Sequence, residues 1–228
     1  MPAPTFVSIT TTAWGSTTTP KTTSNFNVLS NDLLIALAVK EDSTGTLQAP
    51  TGGGVTWTER AAVDVASRTE VRGWSGVVGA ITSMGVTFSN LGSTLNFGGA
   101  VFNFRGAAGV GRAGSANAAD ALPAVTITTQ SDNSAIVAIF GDWEAATTAA
   151  TWATSAGAFT NNIVFDNTVY SVNGGYHASA GTAGVYTIGV TSPTAPDYSL
   201  IAIEVAGTSA PIAPVSANGT ASFIFSLQ

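Results

Sequence analysis

Few residues in this chain have side chains that perform reactions, and their spacing limits what each can do. The sequence holds one histidine, His177, and no cysteine. Hydrolysis through a histidine base would have to use His177. That residue stands in Gly174-Gly175-Tyr176-His177-Ala178, which reads as a strand end, so a packed or surface histidine is expected. Paired carboxylates occur at Glu41-Asp42, at Glu59 with Asp64, and at Asp142 with Glu144. Glycoside hydrolysis needs two carboxyl groups facing each other across roughly 5 to 10 Å. Asp142-Trp143-Glu144, with a ring between two acids, is the best such candidate. It follows an apolar block as Lys40-Glu41-Asp42 does, so solvated turns are the simpler expectation for both. Gly109-x-Gly111-x-x-Gly114 matches a dinucleotide-binding fingerprint, with Asp132 about twenty residues on, as a ribose contact requires. No helical pattern follows these glycines, and the fingerprint acts through a helix N-terminus.

Metal binding with a single histidine would need several converging carboxylates, and no aspartate run has the spacing of a calcium loop. Asn218-Gly219-Thr220 fits a glycosylation sequon, but Met1-Pro2-Ala3-Pro4 does not read as the start of a secretory leader, so the sequon is expected to be incidental. We therefore expect no catalytic, cofactor-binding or metal-binding residue, and a chain that is not an enzyme. The remaining side chains suited to ligand contact are aromatic. Trp143, Tyr170 and Tyr176 are the loop aromatics on which a sugar ring can stack, whereas Trp57 and Trp152, each after a threonine, are expected as a matched core pair.

Composition narrows the classes further. Of 228 residues, 9% are charged, against about a quarter in an ordinary soluble domain. The net charge of −6 argues against nucleic acid, whose phosphates require clustered Lys and Arg. Arg60, Arg68, Arg72, Arg105 and Arg112 are scattered instead. No uninterrupted apolar run approaches the roughly 18 residues that cross a bilayer. No membrane partner is expected. Zero cysteines leave stability to packing alone.

The elements that must position these residues are strands. A 3.6-residue apolar period is absent, while short β-branched runs separated by Gly, Pro, Asn and Thr recur. They recur twice. Asn31 to Ala107 opens with the apolar block Leu33 to Val39, and Asp132 to Gly207 opens with Ala135 to Phe140 after a similar Asn/Asp turn. Each block leads to an alternating stretch, a β-branched run (Val86 to Phe88; Val185 to Val190) and a closing strand (Leu95 to Phe104; Tyr198 to Val205). Leu33 to Val39 is apolar on both faces, as a strand covered on both sides requires, by a terminal arm or a neighbouring subunit. Gly98-Gly99 marks a bulge or close packing. Gly106 to Leu122 reads as a small-residue connector between the halves. The Ala-rich pieces 116–121 and 145–150 are each long enough for one helical turn. The expected architecture is one all-β domain over residues 1–207, a two-sheet sandwich built from half-repeats at about 26–107 and 124–207. Residues 208–228 form an extended C-terminal arm. Its Pro-rich start and apolar positions Ile212, Phe223, Ile224 and Phe225 suit strand addition to a sheet edge.

Asn31-Asp32-Leu33-Leu34-Ile35-Ala36, then the loop Pro50-Thr51-Gly52-Gly53-Gly54, then Val55-Thr56-Trp57-Thr58, resembles the jelly-roll-like modules of tailed-bacteriophage virion proteins. In those modules an apolar strand beginning Asp-Leu-Leu precedes a Pro-Gly loop and a Gly-Trp-Thr strand; here Val55-Thr56 separates Gly54 from Trp57, and the second half retains only Thr151-Trp152. The resemblance implies a jelly-roll-like structural protein of a virion, assembled in the host cytoplasm, most simply a capsid decoration or cement protein. The partners it implies are further copies of the chain and other virion proteins such as the major capsid protein. The alternative is a carbohydrate- or receptor-binding module of a phage tail or fibre. A hydrolase using Asp142 and Glu144 is the third reading.

Overall fold

Strands in this chain are set by β-branched and aromatic residues between turn residues, and the longest are those with no polar face. The computed structural model describes residues 2–16, 20–41, 45–65, 68–91, 95–143, 149–166, 170–192 and 195–207. The expected arm, with Ile212, Phe223, Ile224 and Phe225, lies outside the described residues, as does Glu144. The described chain is all-β, with antiparallel sheets and no helix. The first half supplies β1 (Thr5–Thr11), β2 (Leu33–Glu41), β3 (Thr58–Val65), β4 (Thr69–Val77) and β5 (Asn96–Arg105). The second supplies β6 (Ala107–Ala121), β7 (Ala124–Thr128), β8 (Ala135–Trp143), β9 (Thr151–Thr154), β10 (Thr160–Asp166), β11 (Tyr170–His177), β12 (Val185–Ser192) and β13 (Ala195–Gly207).

The halves build the same sheet twice. The first has the order β1-β5-β2-β4-β3 and the second β6-β13-β8-β11-β10. The registers match in detail. A bulge falls between Glu59 and Ala61 in β3, and its counterpart falls between Asn161 and Ile163 in β10. The turns into the central strands also correspond, since Asn31 (φ 69°) and Asn133 (φ 57°) both adopt the left-handed conformation that asparagine tolerates best after glycine.

Each central strand is buried on both faces. In β2, Leu33, Ile35, Leu37 and Val39 join Ala135, Val137 and Ile139 of β8 and Ile201, Ile203 and Val205 of β13 in a core between the two large sheets. The intervening Leu34, Ala36 and Ala38 face a second core with Val86, Phe88 and Phe97. In β8, Ile136, Ala138 and Phe140 face a third core beneath the three-stranded layer β7-β12-β9. The outer layer of the first half consists of short ladders, Lys21–Thr22 with Thr87–Phe88, Phe26–Asn27 with Ser83–Met84, and Thr46–Leu47 with Asn90–Leu91. The expected pair of facing sheets is therefore the middle of a four-layer stack. What covers the second face of β2 is the other half of the same chain.

Two expectations are corrected here. Gly106 to Leu122 is no connector: β6 runs through it as the edge strand of the second sheet, which also excludes a helical turn at 116–121. Its small residues are needed because neighbours approach closely; a Cβ at Gly114 would stand 2.7 Å from the Thr126 carbonyl oxygen, and one at Gly111 would overlap the Glu204 carboxyl. These contacts also account for two of the three fingerprint glycines. The two tryptophans expected as a matched pair do not correspond. Trp57 immediately precedes β3 as Phe159 precedes β10, whereas Trp152 lies in β9 of the outer layer, stacked on Phe159 with centroids 4.1 Å apart. Close packing at Gly98-Gly99 is present, with Trp14 against one glycine and Phe88 against the other.

Leu37 sits in the core shared by both halves and is fully buried. Leu37→Ala should destabilise the protein by about 2–5 kcal/mol, because the cavity opens between two sheets that cannot both collapse onto it. Urea unfolding followed by tryptophan fluorescence measures this.

Candidate functional site

Equal backbone positions in the two sheets carry different chemistry. Lys40 lies opposite Glu70 across β2 and β4, and Asp142 lies opposite Ser171 across β8 and β11. By the same registers Arg72 corresponds to Asn173, and Glu59 to Asn161. In the first half these positions form an ion network. Lys40 Nζ is 3.0 Å from Glu70 Oε2, Arg72 Nε donates to Glu70 Oε1 at 2.5 Å, and Arg72 Nη1 reaches Glu59 Oε2 at 2.8 Å. Lys40 also donates to the Gly45 carbonyl at 3.1 Å. Lys40 and Glu70 are buried, and desolvating each charge is offset by the other together with these hydrogen bonds. Glu70 and Arg72, with Gly45, Thr46 and Asp64, line a polar cleft of about 220 Å³.

The second half has one charge where the first has four. Asp142 is wholly buried, and neither of its carboxyl oxygens makes a hydrogen bond of normal geometry. The Ser171 hydroxyl and the Asn173 amide nitrogen are likewise buried without partners, while Asn173 Oδ1 accepts from the Ala150 N–H at 2.9 Å. Burial pushes the Asp142 carboxyl up to about 7; the Asp197 main chain pulls weakly the other way, and the Asp197 charge adds to the rise. This acid therefore titrates near neutral pH instead of in the usual carboxylate range. Glu144, the second acid of the expected glycosidase pair, lies outside the described residues. The solvated turns expected at Lys40-Glu41 and at Asp142 are instead the buried ends of the two central strands. Both strands remain covered to their last turn.

The ligand-contact aromatics are strand residues. Tyr170 opens β11, is fully buried, and its hydroxyl lies 3.0 Å from Thr69 Oγ1 across the sheet interface. Burial first, then the nearby carboxylates of Glu41, Asp142 and Glu70, keep its phenol protonated well above the usual range. Tyr176 stacks on Phe6 with centroids 4.1 Å apart. Trp143 closes β8, half-buried, with the Arg68 guanidinium 5.3 Å from its ring. All three were expected in loops because their neighbours include Asn, Gly and Thr, which here fill strand positions under a covering layer. His177 has Nδ1 2.6 Å from the Ala158 carbonyl and Nε2 2.6 Å from that of Ser179. Both ring nitrogens are thus engaged by main chain, and the ring ties the entry of β10 to the exit of β11.

Sequence reasoning missed Glu204. It is fully buried in β13, and its carboxyl group accepts from the N–H groups of Arg112 (2.8 Å), Gln130 (2.8 Å) and Ser131 (3.1 Å), and from Ser134 Oγ (2.7 Å). Its counterpart Asn103 donates to Asp32 Oδ2 at 3.1 Å, and Asp32 is held by Arg105 at 2.9 Å through both oxygens. Burial disfavours the Asp32 carboxylate, yet the Arg105, Leu29 and Asn103 hydrogen bonds outweigh it, and its pKa falls below the usual value. Each half thus ties the turn before its central strand to its last strand. A charged residue inside Leu200-Ile201-Ala202-Ile203-Glu204-Val205 was the available signal.

Among the described residues there is no group of three or more His, Cys, Asp or Glu able to hold a metal. No family model, curated protein or solved structure matches this chain.

Two predictions follow from these centres. With its pKa raised in the folded state and ordinary in the unfolded chain, Asp142 favours folding most below about pH 4, and that contribution is lost as pH rises to about 7. Asp142→Asn should abolish this fall, gaining on the order of 2 kcal/mol relative to the parent between pH 5 and pH 8; parallel stability profiles for the two proteins would contradict the assignment. Glu204→Ala leaves three backbone N–H donors without their acceptor, Ser134 Oγ keeping the Ser131 carbonyl at 2.7 Å, and should cost about 3 kcal/mol or more by urea unfolding, more than Asp32→Ala, whose Arg105 partner is half exposed.

Proposed function

We propose that this chain is a non-enzymatic virion structural protein of the jelly-roll-like type, decorating or cementing a bacteriophage capsid through contacts between subunits. The observation that carries the reading is the layering. In the second half the chain passes from the inner sheet (β6) to the outer layer (β7), back to β8, out to β9, in to β10 and β11, out to β12 and in to β13. Alternation of strands between two packed sheets is what jelly rolls have in common.

Physical features add support. An exterior with few charges is poorly protected against association unless neighbours cover it. Both large sheets end in edge strands, β3 and β10, that pair with no further strand among the described residues, though the Asp64 carbonyl of β3 accepts from Asn117 Nδ2 at 2.6 Å. Such edges accept an added strand from another chain. The segment 208–228, with Ile212, Phe223, Ile224 and Phe225, is the proposed donor. A Pro-rich sequence such as Pro211-Ile212-Ala213-Pro214 favours strand addition, because proline lowers the entropy lost on pairing.

Removal of residues 208–228 is expected to leave the unfolding temperature unchanged and to weaken occupancy on purified particles, quantified by mass spectrometry of the particle proteins. Undiminished occupancy would count against the arm, and absence of the parent chain from the particles would count against a virion role altogether. The neighbouring genes separate the two placements, a major capsid gene favouring decoration and a baseplate gene favouring the tail.

A further inference from the structure

The pseudo-symmetry of the halves is broken most clearly at one interlayer position. In the ladder β1-β5-β2, Phe6 lies opposite Phe104 and Phe104 opposite Leu33; in β6-β13-β8, Val110 lies opposite Val205 and Val205 opposite Ala135. Val110 therefore stands where the first half has Phe6. Ser75 lies opposite Ile35, and Tyr176 opposite Val137, so Ser75 stands where the second half has Tyr176. Phe6 and Tyr176 stack across the sheet interface with an interplanar angle of 20°, and Phe104 closes the stack edge-on with centroids 6.3 Å from Tyr176. At the equivalent place Val110 and Ser75 leave an open cleft of about 430 Å³.

The volume falls in the range of small-ligand pockets, roughly 300–1,000 Å³. Leu33, Val77 and Val110 supply apolar walls, Thr58 and Ser75 supply hydroxyls, and among the described residues the charged member of the lining is Arg60. Arg60 is the bulged residue of β3. It is exposed, and its guanidinium bonds the protein through Nε alone, to Ser75 Oγ at 2.7 Å, which orients the group and leaves its two terminal nitrogens for a ligand. A guanidinium edge of this kind recognises a carboxylate with two parallel hydrogen bonds.

We propose that this cleft binds a planar aromatic carboxylate, its ring occupying the place filled in the other half by the Tyr176–Phe6 stack and its carboxylate on Arg60. The cleft does not depend on the virion reading, since its lining, which includes Thr58 and Arg60 of the edge strand β3, is set by the fold of this chain alone. It differs from a general apolar groove in two ways. An aromatic occupant matches what the same fold places at the equivalent position, a pair of stacked rings, and charge selection comes from one cation oriented through its Nε.

Benzoate titrated into the full chain, followed by ¹H–¹⁵N correlation spectra, should shift the amides of Gly76, Val77 and Val110 and the Arg60 Nε–H, with millimolar affinity as expected for a small fragment. Cyclohexanecarboxylate, which is not flat, and benzyl alcohol, which is not charged, should each bind at least fivefold more weakly. The double variant Ser75→Tyr/Val110→Phe installs the residues of the other half. It should bind benzoate at least tenfold more weakly with an unfolding temperature no lower than the parent. Should that variant unfold, Arg60→Gln decides: it should weaken benzoate at least fivefold while leaving benzyl alcohol unaffected. Absence of benzoate shifts at these amides, equal binding of cyclohexanecarboxylate, or unchanged affinity in Arg60→Gln would overturn the proposal. Binding that emerges only after removal of residues 208–228 would also overturn it, by making the chain's own tail the occupant.

Discussion

Double-faced burial of the two central strands is the constraint on which the rest of the structure depends. A strand whose odd and even residues are both apolar cannot stop at one covering layer, because each exposed face would leave several large side chains in water at roughly 1.5–3 kcal/mol apiece. β2 and β8 meet this by sharing one face with each other and giving the other to an outer layer of their own half. Three cores in one chain follow from that arrangement. So does the stringency at the sheet interface, where Gly73 of β4 leaves room for Ile201 and Ile203 of β13, and where Gly141 of β8 lies against Val39 and the Tyr170 hydroxyl.

Deep burial then determines what polar residues can do. At the ends of the central strands the same backbone site holds a charge-balanced network in one half, Lys40 with Glu70 and Arg72, and an isolated acid beside Ser171 and Asn173 in the other. The first arrangement keeps its charges by pairing them. In the second, burial pushes the lone carboxyl up to about 7, so it gives up its proton far less readily than an ordinary aspartate, and no cation among the described residues replaces Lys40 there. A common backbone thus supports opposite electrostatic solutions, and the difference is confined to side chains. The same holds for the aromatic stack and the cleft, where Phe6 and Tyr176 in one interlayer position are answered by Val110 and Ser75 in the other.

Much of the architecture was legible in the linear pattern, and particular residues show where legibility ended. The apolar runs Leu33 to Val39 and Ala135 to Phe140 announce strands with two buried faces, because no alternation survives in them. The Asn/Asp turns before them announce the repeat, and Asn31 and Asn133 adopt the matching left-handed geometry. Gly106 to Leu122 was opaque because edge-strand residues chosen for close approach, such as Gly111 over Glu204 and Gly114 under Thr126, look like those of a flexible linker. Trp57 was matched to Trp152 on a shared Thr-Trp pair, whereas hydrogen-bond register aligns it with Phe159. Tyr170 and Tyr176 looked free because nothing local indicates that a sheet from the other half lies on top of them.

The sequence by itself determined that the chain makes strands rather than helices, that it does so twice over, and that it carries a single histidine and no thiol. These are properties of residue type and period, which act locally. Only the tertiary structure decided which faces meet, and with them the pairing of Lys40, the raised pKa of Asp142, the capture of His177 by two carbonyls and the vacancy beside Ser75. Each of these depends on distances of a few ångströms between segments tens of residues apart in the chain, and sheet register sets those distances.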